Sequence, residues 1–272
     1  MNERFSRQSF LGPDSETVIT RAVIGVVGLG GGGSHIVQQL AHLGFHNFVL
    51  YDGDHVEESN LNRLIGATSA DAVTGVTETS KLAIALRVIH GLDPTAEVDG
   101  HSVRWQDEPG PLRRCDLIFG CVDSFSERDQ LEATCRRHMI PLIDIGLDIA
   151  IVGDDPPLMG GQVILSMPGE PCMHCLGFLT KDLLAKEASN YGAAGPRPQV
   201  VFGNGVLAST AVAIAVDLLT DWTRQLRRAV YLEYRGNEQA LRSHPRVKDK
   251  GIAPACPHYP LTNVGSPIFH RL

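Results

Sequence analysis

Residues 22–34 read AVIGVVGLGGGGS, in which a short apolar run passes directly into a glycine-rich turn. The run has apolar residues on both faces, as expected for a buried strand of a parallel sheet. A helix is predicted to follow the turn as far as Leu43, because Gly44 is a typical stop residue. The next apolar strand, Phe48 to Tyr51, ends at Asp52. The order of strand, turn, helix and strand predicts a βαβ unit.

The same alternation continues to about Gly146. Apolar residues at helical spacing predict helices from Lys81 to Ile89 and around Leu131. The short apolar runs Leu117 to Phe119 and Leu142 to Ile145 are typical of buried strands. Alternating strands and helices indicate an α/β fold with a Rossmann-like, mostly parallel sheet that has helices on both faces.

The C-terminal part of the chain has a different character. The turn-like segment 153–157 and the segment 168–171 are rich in Gly and Pro, and the second leads into Cys172-Met173-His174-Cys175. Residues 190–199 predict a crossover loop of the kind that often covers a site. An apolar helix is expected from about Val206 to Leu219. We divide the chain into an N-terminal arm, a Rossmann-like nucleotide-binding part and a C-terminal part of the same domain, at residues 1–20, 21–150 and 151–272.

Composition and charge argue against several classes of protein. The 272 residues suffice for one main domain, and 43% hydrophobic with 20% charged residues is ordinary for a globular protein. Lys and Arg number 24 against 31 Asp and Glu, so the net charge of −7 argues against nucleic acid as a main partner. The longest apolar stretches are shorter than the roughly 20 residues of a membrane span. Because no apolar signal core follows Met1, we expect a cytoplasmic protein that crosses no membrane.

The glycine turn and Asp52 together indicate a nucleotide. Backbone N–H groups in such a turn approach phosphate oxygens closely, and the N-terminus of the following helix adds partial positive charge. Asp52 ends the second strand roughly 20 residues after the turn, where a carboxylate accepts hydrogen bonds from ribose hydroxyls. These features fit NAD as well as ATP. The alternative is a tight turn that binds no ligand.

The segment that begins at Asp52 distinguishes these nucleotides. It reads DGDHVEESNLNR, and a dehydrogenase has no chemical use for Asn60 and Arg63 beyond its ribose acid, whereas a triphosphate does. The segment resembles the D-x-D-x-V-x-x-S-N-L-x-R signature of the ThiF/MoeB/HesA superfamily of ubiquitin-like-protein-activating adenylyltransferases. Three further segments resemble motifs of the same superfamily. Residues 4–8 are similar to its R-Y-x-R-Q, and residues 28–33 to its G-x-G-G-x-G. Residues 121–124 with Arg128 are similar to its C-x-D-N followed by R.

This resemblance implies that ATP adenylates a carboxylate, a reaction in which cations must offset the charge that builds on the leaving pyrophosphate. By resemblance, Asp52 holds the ribose, Asp123 holds Mg²⁺ near the α-phosphate, and Asn60 orients the triphosphate. The residues implied in catalysis are Arg7, Arg63, Lys81 and Asp123. Those implied in cofactor binding are Gly28, Gly30, Gly31, Gly33, Asp52, Asp54, Asn60, Arg63, Lys81, Asp123 and Ser124. Arg7 is expected to reach in from a partner subunit, which implies a homodimer.

These assignments have structural alternatives. Arg7 and Arg63 could be ordinary surface arginines. Lys81 follows a segment, residues 66–80, that is several residues longer than the family usually has there. Asp123 could merely cap the helix that begins near Ser126. We favour the metal role for Asp123, because ligands bind at the C-terminal edge of a parallel sheet.

The two cysteines Cys172 and Cys175 are spaced to chelate one zinc ion, and the resemblance implies that they are half of a structural site. The family supplies a second C-x-x-C near the C-terminus, but here Cys256 is followed by Pro, His258 and Tyr259. Tyr259 stands at the expected fourth ligand position, so we expect His258 to complete a Cys3His site. The alternatives are a degenerate site without metal, reduced core thiols, and competition from the histidine between the first two cysteines.

Some relatives carry a further cysteine in the crossover loop that bonds to the activated protein. The loop expected here, residues 181–199, contains none, and Cys115, Cys121 and Cys135 lie in or beside apolar segments where inert thiols are typical. We therefore expect the MoeB type, which hands an acyl-adenylate directly to a sulfur donor or another nucleophile. The resemblance implies a small ubiquitin-like β-grasp protein that ends in Gly-Gly as the usual partner, because a tail without side chains passes through a narrow channel. Activation of a peptide fits equally, and a small-molecule acid or a modified tRNA base fits less well.

Two other functions stay open at this point. A nicotinamide-dependent oxidoreductase would explain the glycine turn and Asp52, but it would leave Asn60, Arg63 and the cysteine pair without a role. A non-catalytic protein that binds a ubiquitin fold would explain the altered second half of the zinc motif.

Overall fold

The computed structural model describes residues 3–72, 78–189, 198–225, 230–248 and 256–260. Within these residues the strands form one eight-stranded sheet in the order β3-β2-β1-β4-β5-β6-β7-β8. The strands are β1 (Val23–Val27), β2 (Asn47–Tyr51), β3 (Glu97–His101), β4 (Leu117–Gly120), β5 (Leu142–Ala150), β6 (Leu158–Ser166), β7 (Val230–Arg235) and β8 (Ala240–Ser243). The five strands from β3 to β5 in the sheet are parallel, and β6, β7 and β8 are antiparallel additions.

The helices of the described residues cover both faces of this sheet. They are α1 (Ser15–Arg21), α2 (Gly31–Leu43), α3 (Lys81–Leu92), α4 (Phe125–Arg137), α5 (Lys181–Ser189) and α6 (Val201–Thr220), with short 3-10 helices between them. One core cluster joins the sheet to α2, α3 and α6, and a second joins the opposite face to α4. The predicted α/β fold, a mostly parallel sheet with helices on both faces, is confirmed.

The strand order places a crevice at the C-terminal ends of β1 and β4. The chain leaves β1 toward β2 on one side and reaches β4 on the other, so the connections diverge between these two neighbours. Ligands of open α/β sheets bind at such a point. The glycine turn follows β1 and Asp123 follows β4, which brings both predicted features to the same edge.

Local signals set the ends of the helices around this crevice. Gly44 ends α2 with φ +95°, a conformation that favours glycine, and its N–H bonds to the carbonyl groups of Ala41 and Leu40. Ser80 begins α3, because its side chain accepts a hydrogen bond from the N–H of Ala83.

Two predicted segments differ from the structure. Residues 181–199 were expected to be a loop, but Lys181–Ser189 is helix α5. Residues 190–197 of the expected crossover loop lie outside the described residues. The apolar helix begins at Val201 rather than near Val206. Gly203 lies inside its first turns, where a Cβ atom would come within 2.9 Å of the side chain of Leu147.

Helix α6 packs as a core helix. Among the described residues it is the one helix long and apolar enough to cross a membrane by length and composition, with mean hydropathy 1.6. The expectation that every apolar stretch falls short of this length was therefore wrong. In the fold 56% of that stretch is buried, and Leu207, Ala211 and Ala215 are fully enclosed in the core that includes α2.

Candidate nucleotide site and metal cluster

The glycine turn between β1 and α2 is closed by contacts that a larger residue could not make. Gly28 has φ +89°, and a Cβ atom there would lie 2.5 Å from the carbonyl oxygen of Cys121. A Cβ atom at Gly33 would lie 1.9 Å from the carbonyl oxygen of Gly28. Gly30 faces open space, since its Cβ position has no atom within 4 Å. The turn is tight toward the sheet and open at Gly30, as a phosphate cradle requires.

Arg63 lies beside this turn. A Cβ atom at Gly31 would be 3.2 Å from Cδ of Arg63. The Nη1 group donates hydrogen bonds to the carbonyl oxygen of Ser59 at 2.6 Å and to Oδ1 of Asn62 at 2.9 Å. Its Nε and Nη2 groups make no hydrogen bond with other described residues. Arg63 thus keeps donors for an anionic ligand next to the glycine turn, and its contact with phosphate stays a prediction.

Asp52 connects the second strand to the glycine turn. Its Oδ2 atom accepts a hydrogen bond of 2.6 Å from the N–H of Leu29, and its Oδ1 atom accepts one of 2.8 Å from the N–H of Asp54. Burial raises the pKa of Asp52, and the nearby charge of Lys81 and these two N–H donors oppose that shift. The carboxylate is therefore fixed at the rim of the turn, at the position predicted for a ribose ligand.

Asn60 supports the backbone from which Arg63 projects. Its side chain is buried, with 9% of its surface exposed, and Oδ1 accepts a hydrogen bond of 3.1 Å from the N–H of Glu57. This bond belongs to a reciprocal pair that closes the 3-10 turn Glu58–Asn60. The structure thus shows a supporting role for Asn60, and its contact with a triphosphate stays a prediction.

Lys81 forms an ion pair at the start of α3. Its Nζ atom lies 2.6 Å from Oδ2 of Asp54, and its backbone N–H donates to the carbonyl oxygen of Asp54. The lysine side chain is 13% exposed, whereas that of Asp54 is 72% exposed. The structure therefore brings Lys81 to the segment that carries Asp52, and its contact with ATP stays a prediction.

Asp123 is exposed at the C-terminal end of β4, immediately before α4. The cap of α4 is Ser124, whose Oγ atom accepts a hydrogen bond of 3.0 Å from the N–H of Glu127. The alternative that Asp123 is the helix cap is therefore wrong, and the hydroxyl of Ser124 is already engaged. Exposed carboxylate oxygens are the ligands that Mg²⁺ prefers, so the position suits the predicted metal role.

Arg128 stabilises the backbone next to Asp123. The guanidinium is buried, pairs with the carboxylate of Asp144, and donates to the carbonyl oxygens of Ile145 at 3.0 Å and Val122 at 2.5 Å. Burial raises the pKa of Asp144, and the arginine charge opposes this rise. The motif residue therefore ties the segment after β4 to the first half of β5 rather than facing the crevice.

The sequence did not predict that polar residues of α6, and of the segment just before it, lie at the glycine turn. Asn204 is buried, and its Nδ2 group lies 2.6 Å from the Cβ position of Gly31 while donating to Gln199 Oε1 and the carbonyl oxygen of Val200. The carbonyl oxygen of Gln199 accepts a hydrogen bond from Asn62 at 2.9 Å. These contacts tie the end of the crossover segment to the turn. No local pattern marks them.

Arg7 lies far from the glycine turn of its own chain. It is exposed on the 3-10 helix Glu3–Leu11 and makes no hydrogen bond or ion pair with described residues. The same arm is anchored at the C-terminal end of α2, where Arg4 bonds to the carbonyl oxygen of Ala41 at 2.7 Å and the ring of Phe5 packs on Gly44. Since α2 has 13 residues, this end lies about 20 Å from the turn.

The four predicted zinc ligands form one cluster. Cys172, Cys175, Cys256 and His258 place their ligand atoms within 4.8 Å of one another. The Sγ atoms of Cys172 and Cys175 are 3.6 Å apart, those of Cys175 and Cys256 are 3.7 Å apart, and Nδ1 of His258 lies 3.4 Å from both Cys172 and Cys175. The edges of a tetrahedron around zinc with bonds of about 2.3 Å are about 3.8 Å long. Donor type and spacing therefore fit a closed Cys3His zinc site.

The remaining polar groups near the cluster hold it against α4. His174, the alternative ligand, instead places Nε2 2.7 Å from Oδ1 of Asp129, and its ring stacks on His258. Tyr259 directs its hydroxyl to the same carboxylate at 3.4 Å. Deeper in the structure, Glu132 accepts a hydrogen bond of 2.9 Å from the N–H of Met173. Contacts of this kind orient metal ligands.

Of the other cysteines, Cys115 and Cys135 are buried and Cys121 is partly buried. Cys115 and Cys135 belong to the core cluster on the α4 face, and Cys121 lies behind Gly28. Burial raises the pKa of all three thiols, which keeps them protonated and poorly nucleophilic.

Comparisons with known proteins agree with this architecture. The sequence model described as "ThiF family" matches residues 4–257. The molybdopterin-synthase adenylyltransferase of Escherichia coli K12 is 28% identical over 224 residues, which cover 80% of this chain and 82% of that protein. The SAMP-activating enzyme E1 of Haloferax volcanii is 28% identical over 64% of this chain, and ubiquitin-like modifier-activating enzyme 5 of Drosophila willistoni is 26% identical over 58%. The chain covers 61% and 39% of these last two proteins.

Solved structures share the fold. The crystal structure of E. coli MccB with ATP superposes with a TM-score of 0.68 at 18% sequence identity, covering 90% of this chain and 71% of that chain. MccB with AMPCPP and MccA gives a TM-score of 0.71 at 17% identity, over 93% and 74% of the two chains. At this level of identity the likeness establishes the fold.

Proposed function

Because the chain belongs to the ThiF family, we propose that it is an ATP-dependent adenylyltransferase that activates the C-terminal carboxylate of a ubiquitin-like or sulfur-carrier protein. The product is an acyl-adenylate, and pyrophosphate is released. The observation that carries the proposal is the position of Arg63, whose side chain lies against Gly31 of a turn with the form of a phosphate cradle. Asp52 stands at the rim of the same turn. The names of the relatives support this activity.

The proposed reaction needs cations where charge accumulates. An oxygen of the acceptor carboxylate attacks the α-phosphorus of ATP, and the bond from that phosphorus to the bridging oxygen of pyrophosphate breaks. Arg63 and Lys81 offset the negative charge that the pyrophosphate takes up, while Asp52 fixes the ribose. Asp123 would hold Mg²⁺, which supplies further charge neutralisation when bound.

The zinc cluster would be structural rather than catalytic. Its four protein ligands leave no open coordination position for substrate. The cluster joins segment 256–260, through His258, to the turn that carries Cys172 and Cys175. The adjacent His174 contacts Asp129 on α4. Zinc would therefore stabilise the C-terminal part of the fold and stand outside the chemical step.

A homodimer belongs to the same proposal. Arg7 has no partner among the described residues, and its arm is anchored about 20 Å from the glycine turn of its own chain. In a symmetric dimer the arm of one protomer can reach the crevice of its partner and supply a charge to the terminal phosphate. We place the enzyme in the cytoplasm as part of this proposal.

The test is exchange of labelled pyrophosphate into ATP with a panel of small β-grasp proteins that end in Gly-Gly. We expect exchange to require one of these proteins and to be abolished by Asp123→Ala. Asp107→Ala is the matched control, because Asp107 is an exposed acid in the loop after β3 and should leave exchange unchanged. Exchange at the wild-type rate in Asp123→Ala would remove Asp123 from the mechanism.

Direct binding separates the proposal from its rivals. A non-catalytic binding protein would retain the β-grasp partner but show no exchange with any acceptor. An oxidoreductase would change the fluorescence of NADH, whereas an adenylyltransferase should leave it constant. A wild-type protein that binds neither magnesium nucleotide nor any Gly-Gly protein would contradict the proposed function.

A further inference from the structure

The N-terminus of α4 is closed by a carboxylate from another helix. Oε1 of Glu187 accepts a hydrogen bond of 2.9 Å from the N–H of Phe125, and Oε2 accepts one of 2.8 Å from the N–H of Ser126. Ser124 takes the next N–H group, that of Glu127. A negative charge at this end of a helix is favourable, because the free N–H groups carry partial positive charge.

Helix α5, which carries Glu187, has few other attachments. None of its residues is buried. In the described part of the chain, the bonds of Glu187 are the only side-chain hydrogen bonds that join α5 to another element. The attachment of α5 therefore depends strongly on this one carboxylate.

Asp123 lies between two clamps. On its upstream side the buried Arg128 holds the carbonyl oxygen of Val122 and ties it to β5. On its downstream side the first turn of α4 begins with Phe125 and Ser126, whose N–H groups Glu187 holds. The upstream clamp belongs to the core of the sheet, whereas the downstream clamp is contributed by a surface helix.

We propose that Glu187 is a positioning residue: by bonding the first turn of α4 from α5, it fixes the backbone that carries Asp123 and so sets the affinity of the site for a magnesium nucleotide. This inference rests on the proposed function. It also makes α5 a coupling element, because docking of α5 on α4 and order at Asp123 become one event.

Variants of Glu187 should fold. Ser126 is exposed and Phe125 is half-buried, so their released N–H groups can bond to water. Glu187→Gln keeps the size but loses the charge and one acceptor, and Glu187→Asp keeps the charge on a shorter side chain. Asp182→Asn is the matched control, because Asp182 is an exposed acid on the same helix without a bond to α4.

The first measurement is hydrogen exchange followed by mass spectrometry on each full-length protein without nucleotide. Glu187→Gln should increase exchange in peptides that cover α5 and in the peptide that contains Phe125 and Ser126. Asp182→Asn should match the wild type at the start of α4. Unchanged exchange in Glu187→Gln would show that Glu187 does not hold the two helices together, which overturns the inference.

The second measurement is binding of the fluorescent analogue mant-ATP at increasing Mg²⁺. Glu187→Gln should raise the Mg²⁺ concentration for half-saturation about tenfold, Glu187→Asp should restore part of this loss, and Asp182→Asn should not change it. Binding of mant-ATP without Mg²⁺ should be equal in all four proteins. A purely structural role would lower the melting temperature and leave the Mg²⁺ dependence unchanged.

The outcomes separate this inference from the proposed function. If the wild type binds mant-ATP with Mg²⁺ and Glu187→Gln has the same Mg²⁺ dependence, the positioning role is wrong and the function stands. If the wild type does not bind the magnesium nucleotide at all, the proposed function fails and the positioning role fails with it, whatever hydrogen exchange shows for α5.

Discussion

The Nδ1 atom of His258 lies 3.4 Å from the Sγ atom of Cys172, although 86 residues separate them in the sequence. The same nitrogen is equally close to Cys175. Tyr259, which occupies the position expected for a fourth cysteine, turns its hydroxyl toward Asp129 instead. A histidine one residue earlier thus stands in the cluster where a fourth ligand would be needed, and the tyrosine joins the outer contacts of the cluster.

His258→Ala should therefore lose most of its bound zinc. Three thiolates alone leave a coordination position open, and the segment 256–260 would lose one of its anchors. We expect a destabilisation of about 2 kcal/mol, which lowers the melting temperature by about 4 to 8 °C. Zinc content by elemental analysis is the measurement, with Tyr259→Phe as a control that keeps the metal. Full zinc occupancy in His258→Ala would contradict the ligand assignment.

Two glycines of the same turn should respond oppositely to alanine. Gly33→Ala should unfold or aggregate the protein, with a loss above about 3 kcal/mol, because the new Cβ atom meets backbone at 1.9 Å. Gly30→Ala should keep the wild-type melting temperature, since nothing lies within 4 Å of the new atom. It should weaken nucleotide binding about tenfold by obstructing the open side of the cradle. A normal affinity in folded Gly30→Ala would show that phosphate does not approach there.

The fold around this turn could be predicted because its signals are local. An apolar run, a glycine cluster and a stop at Gly44 identify β1 and α2 within a few residues. Edge strand β3 was missed because its sequence, EVDGH, is polar and lacks the apolar run of a buried strand. Helix α5 was missed because its residues were assigned to the loop beside them, and none of its positions is buried strongly enough to mark a face.

The residues of the site likewise fall into those with a local sequence signal and those without one. Asp52, Arg63 and the pair Cys172 and Cys175 belong to motifs with fixed spacing, so their type and order in the chain indicate their chemistry. Glu187 and Asn204 reach the crevice through contacts with residues more than 60 positions away, and neither belongs to a pattern. Arg128 does belong to a motif, yet its buried pairing with Asp144 shows that a motif residue can serve the scaffold rather than the ligand.

Asp52→Asn should weaken nucleotide binding and change how stability depends on pH. Losing a charged acceptor for the ribose should lower the affinity about tenfold. Burial raises the pKa of Asp52, so folding favours its protonated form. Its contribution to stability is present below the pKa of the unfolded chain and is lost as pH rises through the higher folded pKa. Relative to the wild type, the melting temperature of Asp52→Asn should therefore improve as pH rises.

The same shift predicts how nucleotide binding depends on pH. In the proposed site the ionised carboxylate would hold the ribose, so wild-type affinity should fall on acidification at a higher pH than an ordinary aspartate would cause. Titrations of mant-ATP binding between neutral and acidic pH measure this, and Asp52→Asn should show a weaker dependence. Parallel pH profiles for the two proteins would rule out Asp52 as the ribose ligand.

Arg7 allows the proposed dimer to be tested by complementation between two inactive variants. Arg7→Ala should keep the wild-type melting temperature, because Arg7 is exposed and bonds to no described residue, but it should lose most pyrophosphate exchange. Asp123→Ala should also be inactive, because it lacks the proposed Mg²⁺ ligand in the crevice. When the two inactive proteins are mixed and allowed to exchange subunits, a mixed dimer holds one site with Asp123 from one chain and Arg7 from the other.

Such mixing should restore exchange to about a quarter of the wild-type value, since about half of the dimers are mixed and half of their sites are complete. Mixing Arg7→Ala with itself, or Asp123→Ala with itself, should restore nothing. If Arg7 served its own chain, one protomer of each mixed dimer would lack Arg7 and the other would lack Asp123. The mixture would then stay inactive, and Arg7 would act within its own chain rather than across a dimer.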